Sequence, residues 1–92
     1  MTTLHLQVQI NDLAAWQSAF ADHAETRRRA GVRSESVRHP ADDESTLVID
    51  LDFDSRREAE AFLGFLRDNV WKDQPILAGP PQAMILEPLE LV

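Results

Sequence analysis

Four residues of this 92-residue chain fall where helical spacing gathers a polar ring and a cation beside an aromatic wall. Trp16, Phe20, His23 and Arg27 follow one another at steps of three and four, so a helix through them sets them along one stripe. Imidazole titrates near neutral pH. His23 is therefore the candidate general base or hydrogen-bond partner for a substrate, contributing on the order of a hundredfold or more in rate as a base. The same position equally suits a boundary histidine that bonds a carbonyl or faces water. Arg27 either reaches a bound anion or enolate from this stripe or snorkels out of the helix's last turn. Trp16 and Phe20 are core anchors by their spacing, and in a ligand-binding protein they would wall the pocket. Trp71 stands at the end of a second helix in a proline-rich approach. It closes a pocket, contacts a partner subunit or covers an edge, because pockets and interfaces both favour tryptophan.

Other chemistries find little to work with. The chain has no cysteine, which removes disulfides, thiolate metal sites, iron–sulfur clusters and a cysteine nucleophile, and suits a reducing, cytoplasmic setting. His5, His23 and His39 lie on different elements without paired-ligand spacing, so no metal site is expected. No Gly-rich phosphate loop or dinucleotide fingerprint is present, and no cofactor is expected. Asp50 and Asp52 share one face of a strand. They are ordinary solvated carboxylates unless a barrel buries them, in which case one is raised in pKa or paired with Arg33 or Arg38. The formal net charge of −7 repels phosphate backbones and argues against nucleic acid. The Arg27-Arg28-Arg29 run complements a helix C-terminus instead. No basic n-region precedes an apolar h-region at the start, and no apolar run approaches the roughly 20 residues of a membrane span.

Six elements must position these residues. Leu4, Leu6, Val8 and Ile10 alternate with His5, Gln7 and Gln9 as a strand with one apolar face. Asn11 and Asp12 are N-caps for a helix from Leu13 to Ala30, with Gly31 as its left-handed C-cap. Val32 to Arg38 is a weaker strand, followed by a turn at His39 to Ser45. Leu47, Ile49, Leu51 and Phe53 alternate with Val48, Asp50 and Asp52, which predicts an antiparallel hairpin across that turn. Ser55 and Glu58 form a capping box for a second helix with a stripe of Ala59, Phe62, Leu63, Leu66 and Val70. Trp71 to Pro81 is a loop, and Ala83 to Leu86 a final short strand near an edge. The order βαββαβ predicts a ferredoxin-like α+β fold, one four-stranded antiparallel sheet with both helices on one face, as a single domain over 1–92. A chain this short buries only about 60–65% of its unfolded surface, which gives a second copy a stabilising role. The free face, with His5, Gln7, Gln9, Val48, Asp50 and Asp52, is the expected homodimer surface.

The run Trp16-Gln17-Ser18-Ala19-Phe20-Ala21-Asp22-His23, then Arg29-Ala30-Gly31-Val32-Arg33, resembles the dimeric α/β-barrel superfamily. So do Leu47 to Phe53 with Ser55 and Glu58-Ala59-Glu60-Ala61-Phe62 after it, and the tail Gly79-Pro80-Pro81. That superfamily includes antibiotic-biosynthesis monooxygenase-like domains, haem-degrading monooxygenases, polyketide cyclases and stress-responsive barrel proteins. More narrowly, the chain is similar to small proteins labelled "cyclase". The likeness in element order covers nearly the whole chain. It implies two sheets packed face to face into a barrel, with a pocket in each subunit between sheet and helices. It also implies a cofactor-independent monooxygenase or cyclase acting on a hydrophobic aromatic or polyketide-like molecule. The chain has no tyrosine, so any role a tyrosine plays in relatives is absent. Against this stands a reading without catalysis, a small ligand-binding or structural dimer.

Overall fold

The structure is a computed structural model and describes residues 1–72 and 74–91. Asp73, inside the expected Trp71–Pro81 loop, and Val92, at the end of the expected domain, lie outside the described residues. In chain order the elements are strand β1 (Thr2–Gln9), helices α1 (Leu13–Asp22) and α2 (Ala24–Ala30), strands β2 (Ser34–Arg38) and β3 (Thr46–Phe53), helix α3 (Arg56–Phe65), a π-helical turn (Leu66–Val70) and strand β4 (Gln82–Leu86). The four strands form one antiparallel sheet in the order β2-β3-β1-β4. This is the ferredoxin-like α+β architecture the element order predicts.

The alternation in β1 and β3 decides which face is covered. Leu4, Leu6 and Val8 from β1 and Leu47, Ile49, Leu51 and Phe53 from β3 are all buried on one side, together with Ile10. Ala59, Phe62, Leu63 and Leu66 from α3 and its π-helical continuation complete the core over them. Phe53 and Phe62 meet in a tilted pair with centroids 5.9 Å apart. The helix α3 starts where its capping box says it should: Ser55 Oγ accepts from the Glu58 backbone N–H at 3.2 Å and donates to the Glu58 carboxylate at the same distance. At α1, Asp12 accepts from the Ala15 N–H at 3.1 Å. Outside the named strands, Ile10 bridges to Leu77, which ties the loop after Trp71 to the end of β1.

The expected helix from Leu13 to Ala30 is in fact two. It breaks at His23, which has φ −99° and ψ 13°. Side chains brace the carbonyls at the end of α1. His23 Nδ1 donates to the Ala19 carbonyl at 2.9 Å and Arg27 Nη1 donates to the Phe20 carbonyl at 2.5 Å. Both carbonyls also accept the His23 backbone N–H, at 3.3 Å each, so that N–H is shared between the i−4 and i−3 acceptors where the last turn of α1 tightens. The second strand is also shorter than expected, because Val32 N–H closes back on the Arg27 carbonyl and only Arg33 begins to bond β3, at the Asp52 carbonyl.

Gly31 ends α2 with φ +104°, and its N–H bonds the Arg28 carbonyl at 3.2 Å. A Cβ built there would lie 2.3 Å from Oε2 of Glu58. The carboxylate can swing away, but only by leaving the capping box, and the positive φ strains any L side chain whatever the space. Gly31→Ala is therefore expected to destabilise the fold by about 1–3 kcal/mol. Urea unfolding checks this, and a variant as stable as the parent would show that the left-handed cap is not required.

Candidate functional site

Between the helices and the covered face of the sheet lies a cavity of about 110 Å³ that opens to solvent. Its floor is Leu6, Val8, Ile49 and Leu51, the same inward positions that build the core. The cavity exists because α1 stands off the sheet. The backbone of α3 lies close against β1, β3 and β4, whereas that of α1 approaches α2. No residue of α1 is buried. Trp16 packs against the core from its edge, as its spacing suggests, but neither it nor Phe20 is fully buried. They are half-buried and wall the cavity, their rings stacked with centroids 4.7 Å apart and planes 20° apart.

The five residues singled out from the sequence all border this one space, and four parts of the chain bring them there. Trp16 and Phe20 come from α1, His23 from the break and Arg27 from α2, and Trp71 follows the π-helical turn. Trp71 N–H bonds the Leu66 carbonyl at 2.7 Å, five residues back, so the widened turn carries Val70 and Trp71 to the cavity wall. The loop beyond closes the far side with Gln74, Ile76 and Leu77. It is pinned by Asn11, whose N–H bonds the Ile76 carbonyl at 2.8 Å and whose Nδ2 donates to the Pro75 carbonyl at 3.1 Å.

Two of these residues differ from the simplest expectation. Arg27 does not snorkel. Only 6% of it is exposed, its Cζ lies 3.5 Å from the Phe20 ring centroid, and its Nε donates to Glu35 Oε1 at 3.1 Å. The partner on β2 and the open carbonyl of α1 make the interior cheaper for this cation than water beyond the last turn. His23 is exposed as a residue yet borders the cavity mouth. A carbonyl can only accept, so Nδ1 carries the proton that goes to Ala19, and Nε2 is the ring nitrogen left without a partner among the described residues. No carboxylate bonds His23 among the described residues.

The other face of the sheet carries a second polar arrangement, which depends on strand register. His5 lies opposite Asp50. His5 Nδ1 bonds Asp50 Oδ1 at 2.7 Å, Arg38 Nη2 donates to Asp50 Oδ2 at 2.8 Å, and Gln7 Nε2 approaches His5 Nε2 at 3.3 Å. Asp50 is therefore not the solvated carboxylate expected: it is shared between a histidine and an arginine. Arg33 reaches neither aspartate of that face and pairs instead with Asp54 at 2.6 Å. The signal for the His5–Asp50 pair was the alternation itself, but only the register of two strands 45 residues apart makes it a pair. Among the described residues, no group of three His, Cys, Asp or Glu side chains is placed to hold a metal ion, and no helix is long and apolar enough to cross a membrane.

Asp52 on the same face accepts from Ser34 Oγ at 2.6 Å and from Thr3 Oγ1 at 2.5 Å. The Ser34 hydroxyl first, then that of Thr3, holds its carboxyl below the ordinary value of 3.8 against a smaller opposing effect of burial. A folded-state pKa lower than the unfolded one adds stability that is fully present above the unfolded value and is lost as pH falls through the folded one. Thr3→Val with Ser34→Ala is expected to lower stability at pH 7, with the gap to the parent closing below about pH 3.8. Urea unfolding at pH 7 and at acid pH measures it, and a gap that stays constant would refute the linkage.

No protein-family profile matches the chain, and no curated protein sequence does. Solved structures do match its fold. A Nitrosomonas europaea structure assigned to the antibiotic biosynthesis monooxygenases is 20% identical, with a TM-score of 0.74 over 98% of this chain and 100% of its own. A monooxygenase of Streptomyces coelicolor, solved in complex with nanaomycin D, is 19% identical, with a TM-score of 0.65 over 99% of this chain and 89% of its own. A dimeric ferredoxin-like protein from an uncultured marine organism is 15% identical, with a TM-score of 0.65 over 99% and 96%. The chain thus has the ferredoxin-like fold of the antibiotic biosynthesis monooxygenase domain structures.

Proposed function

We propose that this chain is a small cofactor-independent monooxygenase or cyclase that takes a hydrophobic aromatic or polyketide-like molecule into the cavity beside His23. The observation that carries the reading is the convergence of Trp16, Phe20, His23, Arg27 and Trp71 on one apolar, solvent-connected space. A closed cavity of about 150 Å³ holds a benzene ring; this one, at about 110 Å³, is smaller but open to solvent, so a ring would enter in part with the rest of the ligand in its mouth. In this reading His23 Nε2 removes a proton from the ring system. A monooxygenation without a resident cofactor draws its electrons from the substrate: an activated ring CH2 and dioxygen become a ring carbonyl and water. The S. coelicolor neighbour's complex with nanaomycin D favours a ligand in this space.

The test is oxygen uptake with anthrone, an aromatic ketone carrying an acidic ring CH2. The parent protein is expected to accelerate the reaction over buffer. His23→Ala is expected to lose about a hundredfold or more of that acceleration with little change in Tm, and His23→Gln is expected to keep ligand binding without the rate. The lack of a carboxylate behind His23 favours a second reading, a binding protein without catalysis. Quenching of Trp16 and Trp71 fluorescence by anthrone with no oxygen uptake would select it.

The functional unit in this proposal is a homodimer closed through the open face of the sheet. Thr3, His5, Gln7, Asp50, Asp52, Ser34 and Arg38 bond one another within that face, and the exposed Met84 and Leu86 of β4 add apolar surface beside them. Such a face can be covered without orphaning a charge. The dimeric ferredoxin-like neighbour supports the same assembly. Light scattering at micromolar concentration is expected to give twice the chain mass of 10.4 kDa, and Met84→Glu to shift it toward one. A parent protein at 10.4 kDa would remove the dimer.

A further inference from the structure

The guanidinium of Arg27 has more donors than the fold uses. Of its five N–H groups, Nε–H goes to Glu35 and one Nη1–H to the Phe20 carbonyl. Three N–H groups, both of those on Nη2 among them, have no partner among the described residues. Only 6% of Arg27 is exposed, yet no side-chain nitrogen or oxygen among the described residues is sealed off without a partner. Nη2 therefore keeps an opening, and the space that Arg27 borders is the apolar cavity.

The rest of the lining sharpens this. Among the described residues it contains no carboxylate, and its other polar side chains are those of His23, Thr26 and Gln74. A cation with idle donors against an apolar wall is unfavourable until an acceptor arrives. The acceptor that suits a planar guanidinium best is a carboxylate, which it can meet with two parallel N–H bonds. The ring system that accompanies it is set by Trp16 and Phe20, stacked on each other with Arg27 over Phe20. The net charge of −7 makes the long-range field oppose an anion, so any preference for one arises locally, at Arg27.

We propose that the ligand of this cavity is an aromatic acid, its ring against Trp16 and Phe20 and its carboxylate on the idle N–H groups of Arg27. This rests on the reading of the cavity as a ligand site and adds the anionic anchor. Glu35, bonded to the same guanidinium, then competes with the ligand for its charge.

Three probes of one size separate the anchor from the pocket: 4-fluorobenzoate, 4-fluorobenzamide and 4-fluorotoluene, titrated by 19F NMR at about 0.15 M salt, where the field of the whole protein is screened beyond roughly 8 Å. The benzoate is expected to bind the parent protein about tenfold or more tightly than the amide or the toluene. Arg27→Met, which keeps an unbranched chain over Phe20, is expected to abolish that preference, so that the benzoate binds no more tightly than the two neutral probes. Glu35→Gln is expected to tighten the benzoate several-fold and the neutral probes not at all. Equal binding of all three by the parent overturns the anionic anchor and leaves the pocket standing. Failure of all three to bind overturns the pocket reading, and the anchor falls with it. If Arg27→Met does not fold, Glu35→Gln decides alone: benzoate binding that is unchanged or weaker overturns the proposal.

Discussion

The guanidinium of Arg27 ties three elements together. It donates to the Phe20 carbonyl at the end of α1, lies 3.5 Å above the Phe20 ring, and reaches Glu35 on β2. With His23 on the Ala19 carbonyl, it braces the end of α1, which comes about two turns before Ala30, where the sequence pattern would carry it. A lysine would not do the same, because the contact needs a flat cation that stacks on a ring while donating sideways in two directions. The turn at His23 then separates α1 from α2. Helix α1 stands off the sheet while α3 packs against it, and the space left over is the cavity. The candidate site is thus a consequence of how one helix ends.

The two faces of the sheet divide the remaining work, and the strand period keeps them apart. Inward positions of β1 and β3 supply the core and the cavity floor. Outward positions supply a polar network that is satisfied within itself, with Asp50 between His5 and Arg38 and Asp52 between Thr3 and Ser34. That internal pairing matters in a chain of net charge −7. Two copies brought face to face would set unpaired carboxylates against each other, whereas carboxylates already bonded to cations and hydroxyls present far less repulsion. Glu35 sits on the opposite side of β2 from this network, which is why it meets Arg27 instead.

Local signals were legible in the sequence, and tertiary ones were not. The Leu47–Phe53 alternation, the Ser55–Glu58 capping box and the Gly31 cap each depend on a few neighbouring residues, and each formed as its pattern requires. The stripe Trp16, Phe20, His23 and Arg27 was legible as a set of residues sharing a side. Its depth was not, because spacing reports direction and says nothing of how far a helix stands from its sheet. The burial of Arg27 was hidden for a related reason. Whether a cation at a helix end goes in or out is decided by a partner on another strand, and Glu35 belongs to β2. The His5–Asp50–Arg38 chain needed the registers of three strands at once.

The energetics of a chain this size give the cavity its meaning. Unfilled space in a protein interior costs roughly 24 cal/mol per Å³. At about 110 Å³ that is at most about 2–3 kcal/mol, the opening to solvent making it an upper limit. A domain with a total stability of about 5–15 kcal/mol forgoes a sizeable share of it by holding such a space open. Ala19 of α1 lines the cavity with a small side chain. The chain also lines the space with two indoles, a phenyl stack, an imidazole and a nearly buried guanidinium with donors to spare. Each of those groups is bulkier or more polar than packing alone would select, and together they meet where the core is least filled. Stability given up at a place where polar and aromatic groups converge is what a binding site requires.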